Sequence, residues 1–238
     1  MQITRREASM GLASMLAAPL SSPLFAQAPS WQQDLQSAVD QNSSITLGRR
    51  LPPPDSPLWA QAHALLDAAP LKVSPIEVAR YFERSVPPRF QQAWPEPNRA
   101  RPTDANPLIV LLFLATKMTP SGDQTPWCAA FMNWCLARSG ITGTRSASSQ
   151  SFARWGRERW RKGESDLPTT GKVGDIAVFT SRSDPSHGHV AFYNGIVPNT
   201  YRRVSITGGN QIVKGVHLIN TMTLRTDRDL ELTSVRAV

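Results

Sequence analysis

Two cysteines in 238 residues are too few for a disulfide framework. If one helix carries Cys128 and Cys135, their Cα atoms stand about 10 Å apart, beyond the roughly 7 Å that a bridge tolerates, so both are expected as thiols. No run of Lys or Arg is long enough to resemble a nucleic-acid tail, although 26 basic against 18 acidic residues leave a net charge of +8. That balance points to an anionic polymer or surface as partner and not to nucleic acid. Internal repeats are missing. So is any apolar segment after the N-terminus near the roughly 20 residues that a membrane span requires. What the chain does have is 40% apolar composition, enough for a sizeable core.

Residues 1–28 read as an export signal. Thr4-Arg5-Arg6 supplies the charge, Met10 to about Leu20 the apolar stretch, and Ala26-Gln27-Ala28 a small-residue cleavage pattern, with Ala26 as a second cleavage point because Pro29 follows Ala28. The paired arginines point to the twin-arginine route, with Ala8 and Ser9 standing where its usual apolar pair would be. An ordinary Sec signal or a retained anchor is the alternative. Twin-arginine export carries proteins already folded in a reducing compartment, which is compatible with free thiols. The mature chain is expected outside the cytoplasm, periplasmic or extracellular, and as a monomer.

Residues 29–103 read as an N-terminal helical region punctuated by Pro52-Pro53-Pro54, Pro87-Pro88 and Pro95-Glu96-Pro97. Helices are expected from about Ser56 to Ala69 and from Ser74 onward, the second carrying Ile76, Val78, Ala79 and Phe82. Residues 104–238 read as the main domain. Asn106-Pro107 opens a buried apolar helix, and Thr125-Pro126 opens a second that ends before Gly140. A third is expected to start near Ser149 and to carry Phe152, Trp155, Arg157, Arg159, Trp160 and Arg161. Beyond Gly171 the pattern turns to period two, with strands expected near 176–179, 189–193, 202–207, 216–220 and 230–235. Helices followed by short, tightly linked strands predict an α+β fold on an antiparallel sheet.

Thr125 as N-cap and Pro126 at the first position would put Cys128 at the third residue of its helix. Unpaired N–H groups and the positive end of the helix dipole favour thiolate there, the species that attacks carbonyls. Cys135, two turns on and facing inward, reads as a small buried hydrophobe. A base within reach of the thiol is needed, and imidazole titrates near neutrality. His63 and His217 read as solvated or structural. His187 and His189 share strand parity across Gly188, and His189, entering the Val190-Ala191-Phe192 run, is preferred, with His187 a loop residue near the cleft. Asn210, in Thr207-Gly208-Gly209-Asn210-Gln211, is the candidate to orient the imidazole, against a plain Gly-Gly-Asn turn. Oxyanion stabilisation is expected from backbone N–H at the start of the cysteine helix. Trp127, Asp123 and Gln211 complete the candidate cleft. The cationic stretch Arg154, Arg157, Arg159, Arg161 and Lys162 reads as a solvated face that offers contacts to carboxylates.

Asn106-Pro107-Leu108-Ile109-Val110, Gly122-Asp123, Trp127-Cys128-Ala129-Ala130-Phe131-Met132-Asn133-Trp134, Gly174-Asp175-Ile176, His189-Val190-Ala191-Phe192-Tyr193 and Gly208-Gly209-Asn210-Gln211 together resemble the CHAP branch of the NlpC-like, papain-like superfamily. The resemblance covers about Asn106 to Gln211. It implies a papain-like fold, cleavage of peptide or amide bonds in peptidoglycan, no cofactor, Cys128 as nucleophile and His189 as base. Many such enzymes place an acidic residue two positions before the later Asn; Gly208 stands there in this chain.

Two rival readings compete with a cysteine amidohydrolase. A metal hydrolase would use His187 and His189 at i and i+2, with Asp184, His63 or His217 as third ligand. A non-catalytic module would hold envelope material on its cationic face. An inhibitor or regulatory partner leaves no signature in the sequence.

Overall fold

A computed structural model describes residues 51–95, 104–164, 170–200 and 202–238. The expected export signal, with its arginine pair and cleavage sites, lies outside the described residues, as do Glu96 and Pro97. Four helices precede or enter the sheet: α1 (Pro57–Asp67), α2 (Pro75–Ser85), α3 (Pro107–Leu112) and α4 (Cys128–Arg138). The first three share one start signal, a capping-type residue followed by proline at the first helical position, where a missing N–H costs nothing. Ser56 Oγ accepts the Leu58 N–H at 3.3 Å, and Asn106 Oδ1 accepts the Leu108 N–H at 3.0 Å. Every residue of α3 is buried. At the end of α4, Gly140 takes φ +80°, and the Ile141 N–H returns to the Leu136 carbonyl at 2.9 Å, closing the helix as the sequence predicts.

Six strands follow: β1 (Arg157–Arg161), β2 (Ile176–Ser181), β3 (Gly188–Ile196), β4 (Arg203–Val213), β5 (Val216–Arg225) and β6 (Leu230–Ala237). They form one antiparallel sheet in the order β1-β6-β2-β3-β4-β5. The α+β architecture is the one expected, with one correction. The helix expected from Ser149 through Arg161 is only a 3₁₀ turn, Ser149–Arg154, after which the chain becomes strand β1. Gly156 at φ +61° redirects the backbone, and Trp160 and Arg161 pair with Val235 and Ser234. The basic residues at alternate positions, taken for a helix face, are the period-two pattern of an edge strand.

The alternation of strand side chains divides the core in two. Ile176, Val178, Val190, Phe192 and Ile219 face the helices, while Ala177, Phe179, Ala191, Tyr193, Val204 and Ile206 form a separate cluster on the other face. The first cluster takes in residues on either side of position 104. Phe82 of α2 meets Phe131 and Trp134 of α4 edge-on, with ring centroids 5.5 and 5.2 Å apart. Arg138 on α4 donates to the carbonyl of Ala69, and Glu83 accepts from the Thr221 backbone and hydroxyl on β5. Residues 91–93 extend the sheet along β5: Ile219 N–H reaches the Gln91 carbonyl and Ala93 N–H the His217 carbonyl, each at 2.8 Å.

Candidate active site

Helix α4 begins at Cys128, not at Pro126. Trp127 occupies the cap position without a side-chain hydrogen bond, and the first helical bond runs from the Phe131 N–H to the Trp127 carbonyl at 2.9 Å. Cys128 is therefore the first helical residue instead of the third, and the capping role expected of Thr125 is not formed. The free donors expected at a helix start are present, because the first four N–H groups of a helix have no partner within it, but the thiolate they were expected to favour is not the resting form. The backbone N–H groups of Val190 on β3, of Ala129 and of Cys128 itself are near enough to Sγ to favour its charged form. Burial opposes them and is the larger effect. It raises the thiol pKa, and the N–H groups pull back against it. The residue is 4% exposed, so a small part of its surface still meets solvent.

Val190 is the residue after His189. The pairing of β3 with β4 ends at Phe192 and Thr207, so Val190, whose N–H is near the thiol, lies beyond the last rung. His189 points to the opposite face from Val190, its ring 6.3 Å from that of Phe179. Burial holds its pKa down at about 4, because charging an imidazole in an apolar surrounding is costly. Its Nε2 is buried without a hydrogen-bond partner. Thiol and imidazole are thus both favoured in their neutral forms in the resting site.

The Gly208-Gly209 pair sets how closely these parts approach. A Cβ on Gly209 would collide with the Trp127 ring and lie 2.8 Å from Phe131 Cγ, so glycine lets the start of α4 lie against β4. A Cβ on Gly208 would point the other way, to within 2.9 Å of Ala191 Cβ and 2.8 Å of Gln211 Nε2.

The remaining candidates separate. Asn210 adopts φ +61°, and its Oδ1 lies 2.7 Å from His217 Nδ1; no hydrogen bond joins it to His189. Asp123 is wholly buried and does not line a cleft. Its Oδ2 accepts from the backbone N–H of Trp94 at 2.7 Å and of Asn106 at 2.9 Å, stapling two chain segments together. Trp127 is buried too, with Nε1 unpartnered. His187 stands on an exposed turn with Nδ1 2.6 Å from Asp184 Oδ2. It is apart from buried His189, and among the described residues no group of three or more His, Cys, Asp or Glu is placed to share a metal ion. Gln211 is 2% exposed, with both amide atoms buried and unpartnered. Much of the expected cationic face is ion-paired: Arg161 with Glu158, Lys162 with Glu231 and Arg159 with Asp175.

Two contributors have no signal in the sequence. The Val190 N–H is a backbone group whose role depends on where β4 parts from β3. Gln150 bonds the Phe179 carbonyl and the Thr180 hydroxyl, both at 2.9 Å, and packs against Gly188 beside the histidine. Among known proteins, neither the curated chains nor the solved structures give a match. Residues 120–210, the stretch from the loop before the thiol helix to Asn210, match the family model of the CHAP domain, the family that the sequence motifs resemble.

Proposed function

We propose that the protein is a cysteine amidohydrolase or peptidase of papain-like fold that cleaves amide bonds of peptidoglycan, with Cys128 as nucleophile and His189 as general base and acid. CHAP domains generally act as peptidoglycan hydrolases, which gives the substrate class. The observation that supports the mechanism is the nearness of the Val190 N–H to Cys128 Sγ, which puts the thiol at the helix start close to the residue next to His189. His189 lies on the other face of β3 beside Phe179, so the mechanism requires the imidazole to reach the sulfur past the end of the β3–β4 pairing.

In the reaction, Sγ gives its proton to the imidazole and bonds to the amide carbonyl carbon. The developing oxyanion takes hydrogen bonds from backbone N–H groups at the start of α4. His189 passes the proton to the leaving nitrogen as the C–N bond breaks. Water, deprotonated by the same imidazole, then hydrolyses the thioester. Because the resting pair is neutral, proton transfer accompanies attack and no preformed ion pair is needed. Peptidoglycan lies outside the cytoplasmic membrane, in keeping with the export signal read at 1–28. The two buried free thiols suit a route that moves folded chains.

The test is to incubate purified sacculi with native protein, Cys128→Ala and His189→Ala and to identify the products by mass. Free lactyl-sugar ends would mark an amidase and shortened stem peptides an endopeptidase. Equal product from either alanine variant and from native protein overturns the mechanism.

A further inference from the structure

We infer that Gln211, and not Asn210, is the residue that orients His189, accepting a hydrogen bond from its Nε2–H. The inference deepens the proposed function and rests on it for the role of His189. Three observations converge on it.

The first is register. Along β4, Gly208 pairs with Asn220 and Gln211 with Leu218 of β5, so three steps on β4 match two on β5. The extra residue is a β-bulge, and Asn210 sits in it at φ +61°. Strict alternation would put Gly208 and Asn210 on one face. The bulge instead turns Asn210 aside and returns Gln211 to the face of Gly208.

The second is position across the strands. Phe192 pairs with Thr207 and Tyr193 with Ile206, so continuing the register sets Ala191 beside Gly208. The proximity of a Gly208 Cβ to Ala191 Cβ, 2.9 Å, agrees. One more same-face step along each strand, counting the bulge, leads past the last rung to His189 on β3 and Gln211 on β4. Gln211 Nε2 already lies 2.8 Å from where a Gly208 side chain would begin, so the absence of that side chain makes room for the amide.

The third is unmet hydrogen bonding. Buried polar atoms are nearly always paired, and each orphan costs free energy. His189 Nε2, Gln211 Oε1 and Gln211 Nε2 are all buried and unpartnered. The imidazole nitrogen and the amide are complementary as donor and acceptor, and one hydrogen bond between them would give each residue a partner. Asn210 has no such need, because His217 holds it at 2.7 Å. A hydrogen bond at Nε2 fixes the proton there and leaves Nδ1 as the basic nitrogen for the thiol.

The experiment compares Gln211→Leu, Gln211→Glu and Asn210→Gly in the full chain. Asn210→Gly removes the amide while glycine tolerates the positive φ. The readouts are sacculus turnover, thermal stability and the ¹⁵N shifts of His189. Gln211→Leu is expected to lower kcat at least about tenfold with KM little changed. The same variant is expected to leave the His189 Nε2–H without its acceptor and so to mix the His189 tautomers, in a protein that still melts cooperatively. Gln211→Glu is expected to retain activity and to move the imidazole titration upward, since a carboxylate favours the charged ring. The ¹⁵N readout needs no substrate. A Gln211-dependent tautomer in a protein that cuts nothing would therefore reject the hydrolase reading alone. The inference is overturned if Asn210→Gly takes the loss and Gln211→Leu does not, or if the His189 tautomer is the same in all variants.

Discussion

The two cysteines stand on one helix, two turns apart, and the protein treats them in opposite ways. Cys135 is fully buried, and burial raises its pKa well above the usual thiol value with only its own backbone N–H pulling back. Cys128 is buried nearly as deeply, and its pKa is raised too, yet three backbone N–H groups oppose that rise, one of them from strand β3. Side-chain type and helix membership are identical. What differs is the helix end, where N–H groups lack partners, and the strand edge that α4 abuts. A thiol becomes a candidate nucleophile here through the free donors around it, while burial alone makes it an inert hydrophobe.

The contrast breaks most visibly in activity. Cys128→Ala is expected to reduce turnover by about 10⁴-fold or more, with Cys135→Ala within a few-fold of native, measured by amine release from sacculi. Mass spectrometry after brief iodoacetamide treatment of the native protein is expected to show label on Cys128 and none on Cys135 until the chain unfolds.

The next effect sharpens the comparison through the histidine. His189 has a folded pKa of about 4 against an ordinary 6.5, so below pH 6.5 the unfolded chain binds a proton that the folded chain does not. Stability is therefore complete above about pH 6.5 and falls as pH drops toward 4, by up to about 3 kcal/mol. Urea titrations across that range test it, and His189→Gln is expected to flatten the dependence.

Smaller effects concern packing. Gly209→Ala forces a Cβ onto Trp127 and Phe131 and is expected to cost about 1–3 kcal/mol, with loss of activity because the start of α4 must move. Cys135→Ala deletes one buried sulfur and is expected to cost about 1 kcal/mol without changing the pH profile. Equal urea midpoints for these two variants would mean that the helix start is no more tightly packed than its middle.

Local chemistry made much of this legible from the chain. Ser56-Pro57, Ser74-Pro75 and Asn106-Pro107 announce helix starts because capping and a fixed φ act within three residues. Five of the six strands show their alternation directly. The reading failed where local signals were ambiguous. Thr125-Pro126 has the composition of a cap, but the backbone waits until Trp127 to turn. Arg157–Arg161 has a basic residue at every second position and becomes strand because β6 is there to pair with it. The family match over 120–210 takes in both Cys128 and His189, and neither it nor the motif resemblance contains the geometry between them.

The sequence by itself determined the helix starts, the α+β class, the thiol at a helix entrance and the histidine at a strand entrance, since each depends on neighbours a few residues away. Only the tertiary structure decided that the Val190 N–H comes near the thiol and that Asn210 turns to His217. It likewise placed Gln211 on the face of Gly208 and closed the first core cluster across residues 62–219. Those outcomes hang on one extra residue in one strand and on where two strands part. Both are settled by the competition of all side chains for a single packing, which no local window of the chain contains.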